Sequence, residues 1–147
     1  MTATRRQARE WAIQMLTAAD VNPPDDVRMF MDSFWEEIAL GLPDDRSEPV
    51  AVKGKLKAFA EERVAGVLEK RDEIDAIISP LLENWDFYRL GTVERAVLRM
   101  GIWELGNTDV PRPVVINEAI DLVNWFSSPR SRQIVNGILD KYAKSLP

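Results

Sequence analysis

Apolar residues recur at intervals of three and four along most of the chain, a spacing that places them on one face of an α-helix. The first such stretch ends before an Asn-Pro-Pro sequence, which disfavours continuation of a helix. Helices are predicted over about residues 4–19, 27–41, 50–70, 72–85 and 93–106, with two more before the carboxyl terminus. No segment shows the alternation typical of a β-strand. The pattern therefore predicts an all-α protein with about seven helices.

The second half of the chain contains polar residues inside otherwise apolar helical patterns. The helix over about 93–106 is apolar nearly all round, which predicts that it is central and buried. Asn117 and Asn136 lie in the two later helices, and we expect them to form a buried hydrogen-bond network between these helices. Pro80 falls within the fourth predicted helix and predicts a kink or short break near Ile78.

Composition narrows the possible chemistry. The chain has 147 residues, of which 46% are hydrophobic, and this is enough apolar material for a folded core. Cysteine and histidine are both absent, which excludes disulfides, thiolate sites and histidine-based acid–base catalysis. Neither a secretory signal nor a run of eighteen apolar residues is present, so we expect a cytoplasmic protein without membrane contact. We predict no catalytic residue, metal or cofactor.

The net charge is −5 and the pI is near 4.9, so only a local basic patch could attract nucleic acid. Arg5, Arg6 and Arg9 form such a patch, the amino-terminal arginine cluster, because residues three and four apart share a helix face. Arg130 and Arg132, the second arginine cluster, stand at the start of the last helix, where free N–H groups can also receive an anion. Both clusters fit phosphate binding, and both also fit ordinary solvated helix ends.

Two other sites have more than one interpretation. Glu94 and Arg95 follow a run of aromatic residues at the start of the fifth helix, where they could form a protein-docking rim or simply cap the helix. Glu118 and Asp121 could in principle form a paired-carboxylate site, but no other catalytic group converges on them.

Four segments together resemble the NusB family of bacterial transcription antitermination factors. They are RRQAREWAIQML near the start, NWDFYRLGTVERAVLRMGIWEL in the middle, then VPRPVVINEAIDLVNWF and IVNGILDKYAK. The resemblance covers most of the chain in order, and VERAVLRMGIWEL, INEAIDL and VNGILD fall at the family's spacing.

The resemblance implies one NusB-like domain made of two small helical subdomains, at about residues 1–71 and 72–147. It also implies a non-enzymatic factor that binds single-stranded boxA-type RNA together with the ribosomal protein NusE in the transcription elongation complex. Family members occur as monomers and as homodimers, and the sequence favours neither state.

The resemblance also assigns roles to individual residues. The amino-terminal arginine cluster matches the family's RNA-contacting start, and the loop that ends at Gln133 becomes the RNA-facing edge. Thr17, Glu94 and Arg95 fall on the NusE-facing side, with Thr17 where the family usually has an aromatic residue. Ile134 replaces a phenylalanine that could stack on a base, and we expect the second arginine cluster to compensate through phosphate contacts.

Two alternatives remain open. The chain could be a protein-interaction module that keeps the fold without sequence-specific RNA binding, as its acidic pI and altered loop before Ile134 allow. It could also be related to the RNA-binding domain of ribosomal RNA methyltransferases, although no glycine-rich loop after a strand indicates a cofactor site.

Overall fold

The computed structural model describes residues 4–40, 54–82, 87–126 and 129–147, and these are helical throughout most of their length. Their α-helices are α1 (Arg5–Val21), α2 (Val27–Leu40), α3 (Gly54–Glu69), α4 (Arg71–Ile78), α5 (Thr92–Asn107), α6 (Arg112–Phe126) and α7 (Pro129–Ser145). The prediction of an all-α fold with seven helices is confirmed for this part of the chain. The predicted start of the third helix near residue 50 and the residues Trp85, Ser127 and Ser128 lie outside it.

The chain divides into two compact units, Met1–Ala65 and Gly66–Pro147, with the boundary inside α3. Sequence analysis placed this boundary near residue 71. Among the described residues, none of the helices combines the length and apolar character needed to span a bilayer.

In the first unit, α1 begins at Thr4, whose side-chain oxygen accepts a hydrogen bond from the Gln7 backbone N–H at 3.2 Å. The apolar residues that share one face of this helix by sequence spacing are all buried: Ala8, Ala12, Met15, Leu16 and Ala19. Trp11 is also buried, and its ring meets that of Trp35 on α2 edge to face, with centroids 5.6 Å apart. The two indoles therefore join α1 to α2.

A polar cluster joins α2 to α3. Glu61 accepts hydrogen bonds from the guanidinium of Arg28 and, at 2.9 Å, from the indole N–H of Trp35. Partial burial favours the neutral acid, but these hydrogen bonds outweigh it, and the pKa of Glu61 is lowered. Asp26 caps α2 by accepting from the Met29 N–H at 3.0 Å.

In the second unit, α5 is enclosed on all sides. Ten consecutive residues, from Ala96 through Leu105, are buried, which confirms the prediction of a central helix. This helix packs against α4, α6 and α7, and α6 packs against α7. Gly101 permits the approach of α7, because a Cβ at this position would lie 2.8 Å from a methyl carbon of Leu139.

A charged residue inside this core has a specific partner. Arg99 is 3% exposed, and its Nε and Nη2 donate to the two carboxylate oxygens of Asp75 on α4, at 2.8 and 2.9 Å. The guanidinium also lies 4.9 Å from the centre of the Phe87 ring. The bidentate pair fixes α4 against the central helix.

The predicted break at Pro80 is confirmed. The α-helical hydrogen bonding of α4 ends at Ile78, and a 3₁₀ turn at Ser79–Leu81 contains the proline. Proline lacks the N–H needed to continue the α-helix, so the chain forms the tighter 3₁₀ turn there instead.

Two predictions about polar residues are wrong. Asn117 and Asn136 are exposed and do not form the expected buried network. On α6 the neighbouring core positions are Val115 and Ala119, and these turn Asn117 towards solvent. The charged residues of the third helix also predict a solvated face, yet Arg63 on α3 is 2% exposed.

We expect Asp75→Asn to lower the free energy of unfolding by about 3 kcal/mol, because Arg99 would remain buried without its counter-ion. Urea denaturation monitored by circular dichroism measures this change. Asp72→Asn removes the same charge from an exposed position on α4 and should cost about 0.5 kcal/mol. Equal losses in the two variants would contradict a specific role for the Arg99–Asp75 pair.

Candidate nucleic-acid interface

The amino-terminal arginine cluster divides into exposed and buried members. Arg5 and Arg6 are exposed in the first turn of α1, whereas Arg9 is 4% exposed. The helix face that holds Arg9 is the one that packs on α3, since the guanidinium of Arg9 lies 5.0 Å from the centre of the Phe59 ring. The structure therefore does not present Arg9 for the direct RNA contact that sequence analysis expected.

Phe59 is the centre of this arrangement. The guanidinium carbons of Arg63 and Arg5 lie 3.4 and 5.6 Å from its ring centroid, in addition to that of Arg9. The negative faces of an aromatic ring attract cations at these distances. Arg63 also donates to Glu62 at 3.2 Å and to the Phe59 carbonyl at 3.3 Å. Two buried guanidinium groups thus lie within the first unit close to the exposed Arg5, and that of Arg63 is paired with the Glu62 carboxylate.

The second arginine cluster lies in the first turn of α7, in the second unit. Arg130, Arg132 and Gln133 are exposed, and Ser131 between the two arginines is half-buried. The Ser131 hydroxyl donates to a carboxylate oxygen of Glu94 on α5 at 3.4 Å. This turn combines two cations with the positive end of a helix dipole, an arrangement suited to an anionic ligand.

Gln133 also borders a groove of about 240 Å³ between the 3₁₀ turn and α7. The groove is lined by Leu81, Leu82, Gln133, Ile134, Gly137, Ile138 and Lys141. Most of these lining residues are aliphatic. Gln133 contributes an amide group and Lys141 an ammonium group. Ile134 thus lines a surface groove next to the second arginine cluster.

The predicted partner residues at the start of α5 are half-buried and make contacts within the chain. Glu94 accepts from the Gly91 N–H at 3.2 Å, and Arg95 donates to the Leu90 carbonyl at 2.6 Å. The Arg95 guanidinium lies 5.3 Å from the Tyr88 ring, and Tyr88 is 62% exposed. Of the two interpretations of this site, exposure of Tyr88 beside Arg95 favours a docking rim, because aromatic and arginine residues are enriched at interfaces.

Thr17, the third predicted partner residue, lies in the first unit. It is half-buried, and its hydroxyl oxygen is inaccessible to solvent and has no hydrogen-bond partner in the described part of the chain. The hydroxyl is therefore not presented to a docking protein.

A family model described as the NusB family matches residues 6–144. The chain belongs to the NusB family. The transcription antitermination protein NusB of Helicobacter pylori (strain Shi470) is 38% identical over 144 residues, covering 98% of this chain and 95% of the relative.

Solved structures of NusB proteins have the same fold. NusB of T. maritima matches with a TM-score of 0.77 and 30% identity, over 98% of this chain and 93% of that chain. A crystal structure of the antitermination factors NusB and NusE in complex with dsRNA matches with a TM-score of 0.76 and 26% identity, over 97% of both chains. The resemblance of the sequence to the NusB family is thereby confirmed.

We expect Thr17→Val to raise the free energy of unfolding by about 1 kcal/mol, since it replaces a buried hydroxyl that has no partner with a methyl group of similar size. Thr108→Val is the matched control, because the Thr108 hydroxyl donates to the Glu104 carbonyl at 2.8 Å. That variant should lose about 1 kcal/mol. If urea titrations show Thr17→Val to be as destabilising as Thr108→Val, the Thr17 hydroxyl has a partner in solution.

Proposed function

We propose that this chain is a transcription antitermination factor that binds boxA-type RNA jointly with NusE. Membership of the NusB family supports this function, as do the names of the relatives and the NusB–NusE–dsRNA complex among the similar structures. The observation that carries the proposal is the pair of exposed arginine sites at the starts of α1 and α7 in an otherwise acidic protein. We assign it a cytoplasmic, non-catalytic role in the elongation complex.

Electrostatic attraction supplies the affinity in this proposal. The net charge of −5 repels RNA at long range, so binding depends on positions where cations are concentrated. Arg5 and Arg6 offer guanidinium groups to phosphates, while Arg9 and Arg63 remain packed on Phe59. The RNA contacts of the amino-terminal arginine cluster are therefore reduced to Arg5 and Arg6.

Selectivity comes from the first turn of α7. Arg130 and Arg132 position the RNA backbone, and the exposed amide of Gln133 can donate to and accept from a base edge. A single strand leaves these edges accessible, which favours a single-stranded boxA segment over a paired one.

NusE docks, in this proposal, at the start of α5. Glu94 and Arg95 are already held by contacts within the chain, so little side-chain entropy is lost on binding. The exposed Tyr88 ring beside Arg95 supplies aromatic area of the kind found at interface hot spots. Thr17 contributes through its methyl group, because its hydroxyl is enclosed.

One observation favours the alternative of a protein-interaction module without RNA recognition. Burial of Arg9 leaves the amino-terminal cluster with two exposed cations instead of three. In such a module, NusE binding would persist when the exposed arginines are reversed, and RNA would not bind to the wild-type protein.

Reversal of charge at the second arginine cluster tests the proposal. We expect Arg130→Glu with Arg132→Glu to weaken binding of boxA-type RNA in the presence of NusE by at least about tenfold. Loss of two phosphate contacts should also reduce the slope of log K against log salt by about 1.4. Fluorescence anisotropy at several salt concentrations measures both quantities.

Lys144→Glu is the control, because Lys144 is an exposed cation at the opposite end of the same helix. Its RNA affinity and salt slope should match those of the wild type. Absence of RNA binding by the wild-type protein with NusE at low salt would refute the proposed function, and equal effects of the two charge reversals would refute the assigned site.

A further inference from the structure

We infer that Glu94 is a positioning residue that fixes the first turn of α7 and thereby aims Arg130 and Arg132 at the RNA. The inference rests on the proposed function, and it adds a role that a partner-facing acid would not have. Its basis is the placement of one carboxylate oxygen between the starts of two helices.

That oxygen, Oε2 of Glu94, makes two hydrogen bonds. It accepts from the backbone N–H of Gly91 at 3.2 Å, which caps α5. It also accepts from the hydroxyl of Ser131 at 3.4 Å, which reaches across from α7. The side chain of Glu94 is half-buried, so water competes less for these bonds than at a fully exposed site.

The electrostatic setting favours this position for a carboxylate. Glu94 and Ser131 are each the third residue of their helices, α5 and α7. Helix amino termini carry partial positive charge, which attracts an anion placed within the first turn. One carboxylate can therefore stabilise both helix starts.

Gly91 makes the arrangement possible. A Cβ at this position would lie 2.8 and 2.9 Å from the two carboxylate oxygens of Glu94, which is too close for either to stay. The φ of Gly91 is −64° and its ψ is 161°, values that any residue adopts easily. A side chain at this position would therefore displace the Glu94 carboxylate, and backbone strain plays no part.

Ser131 transmits this restraint to the RNA-facing side chains. Arg130 and Arg132 are its immediate neighbours, and successive residues on an α-helix point about 100° apart. A fixed Ser131 consequently sets the directions in which both exposed guanidinium groups leave the helix. Rotation or fraying of this turn would move the two cations away from phosphates spaced along one strand.

Gly91→Ala and Ser131→Ala test the inference without changing any charge. Each should weaken boxA-type RNA binding with NusE by about five- to tenfold, the effect of losing one hydrogen bond of ordinary strength. The double variant should bind no more weakly than either single variant, because both changes break the same connection. Ser131→Ala should leave NusE binding in the absence of RNA unchanged.

Two further measurements separate positioning from stability. Gly91→Ala should not lower Tm by more than about 2 °C, because only the flexible end of Glu94 must move and alanine restricts the unfolded chain. Amide hydrogen exchange at residues 133–136, whose N–H groups bond to the first turn of α7, should become faster in both variants even without RNA.

Gly54→Ala and Ser145→Ala are the matched controls. A Cβ at Gly54 would meet nothing within 4 Å, and Ser145 lies at the other end of α7. Both should bind RNA like the wild type. Unchanged hydrogen exchange in Gly91→Ala and Ser131→Ala, wild-type RNA affinity in these variants, or additive losses in the double variant would each overturn the inference. Failure of the wild-type protein to bind RNA, with exchange accelerated as expected, would instead count against the proposed function alone.

Discussion

Complete enclosure of α5 is the constraint on which the second unit depends. Ten consecutive buried residues leave this helix no solvent-facing side, so α4, α6 and α7 must each cover part of it. The packing around α5 is specific. Gly101 leaves room for the Leu139 side chain of α7, and the Arg99–Asp75 ion pair holds α4 against α5. The first turn of α5 is half-buried, and its Glu94 carboxylate accepts a hydrogen bond from Ser131 at the start of α7. The packing of the core around α5 thus determines the position of the proposed RNA-facing turn.

The distribution of arginine reconciles an acidic protein with a polyanionic ligand. In the first unit, packing of Arg9 and Arg63 on Phe59 keeps cations below the surface near Arg5. In the second unit, Arg130 and Arg132 are exposed in the first turn of α7, where the positive end of the helix dipole adds to their attraction for an anion. In the proposed function each unit supplies a small RNA-binding site, and the net charge of −5 limits RNA binding elsewhere.

The fold could be predicted from the sequence because helical periodicity and buried apolar faces are local properties. The stripe of α1, the enclosure of α5 and the break at Pro80 all followed from the residues themselves. The polar residues could not be placed in this way, because their environment depends on neighbouring helices. Arg9 and Arg63 are buried only because Phe59 offers an aromatic face, and Asn117 is exposed because Val115 occupies the core-facing side of α6. The link between Glu94 and Ser131 depends in the same way on tertiary packing.

The central claim is that RNA is bound at the starts of α1 and α7. The most direct measurement is ultraviolet cross-linking of boxA-type RNA to the wild-type protein with NusE, followed by mass spectrometry of the cross-linked peptides. The account predicts cross-links in the peptides that contain Arg5 and Arg6 and in those that contain Arg130 to Gln133, with none at residues 140–147. Cross-links confined to other parts of the chain, or to NusE alone, would contradict it.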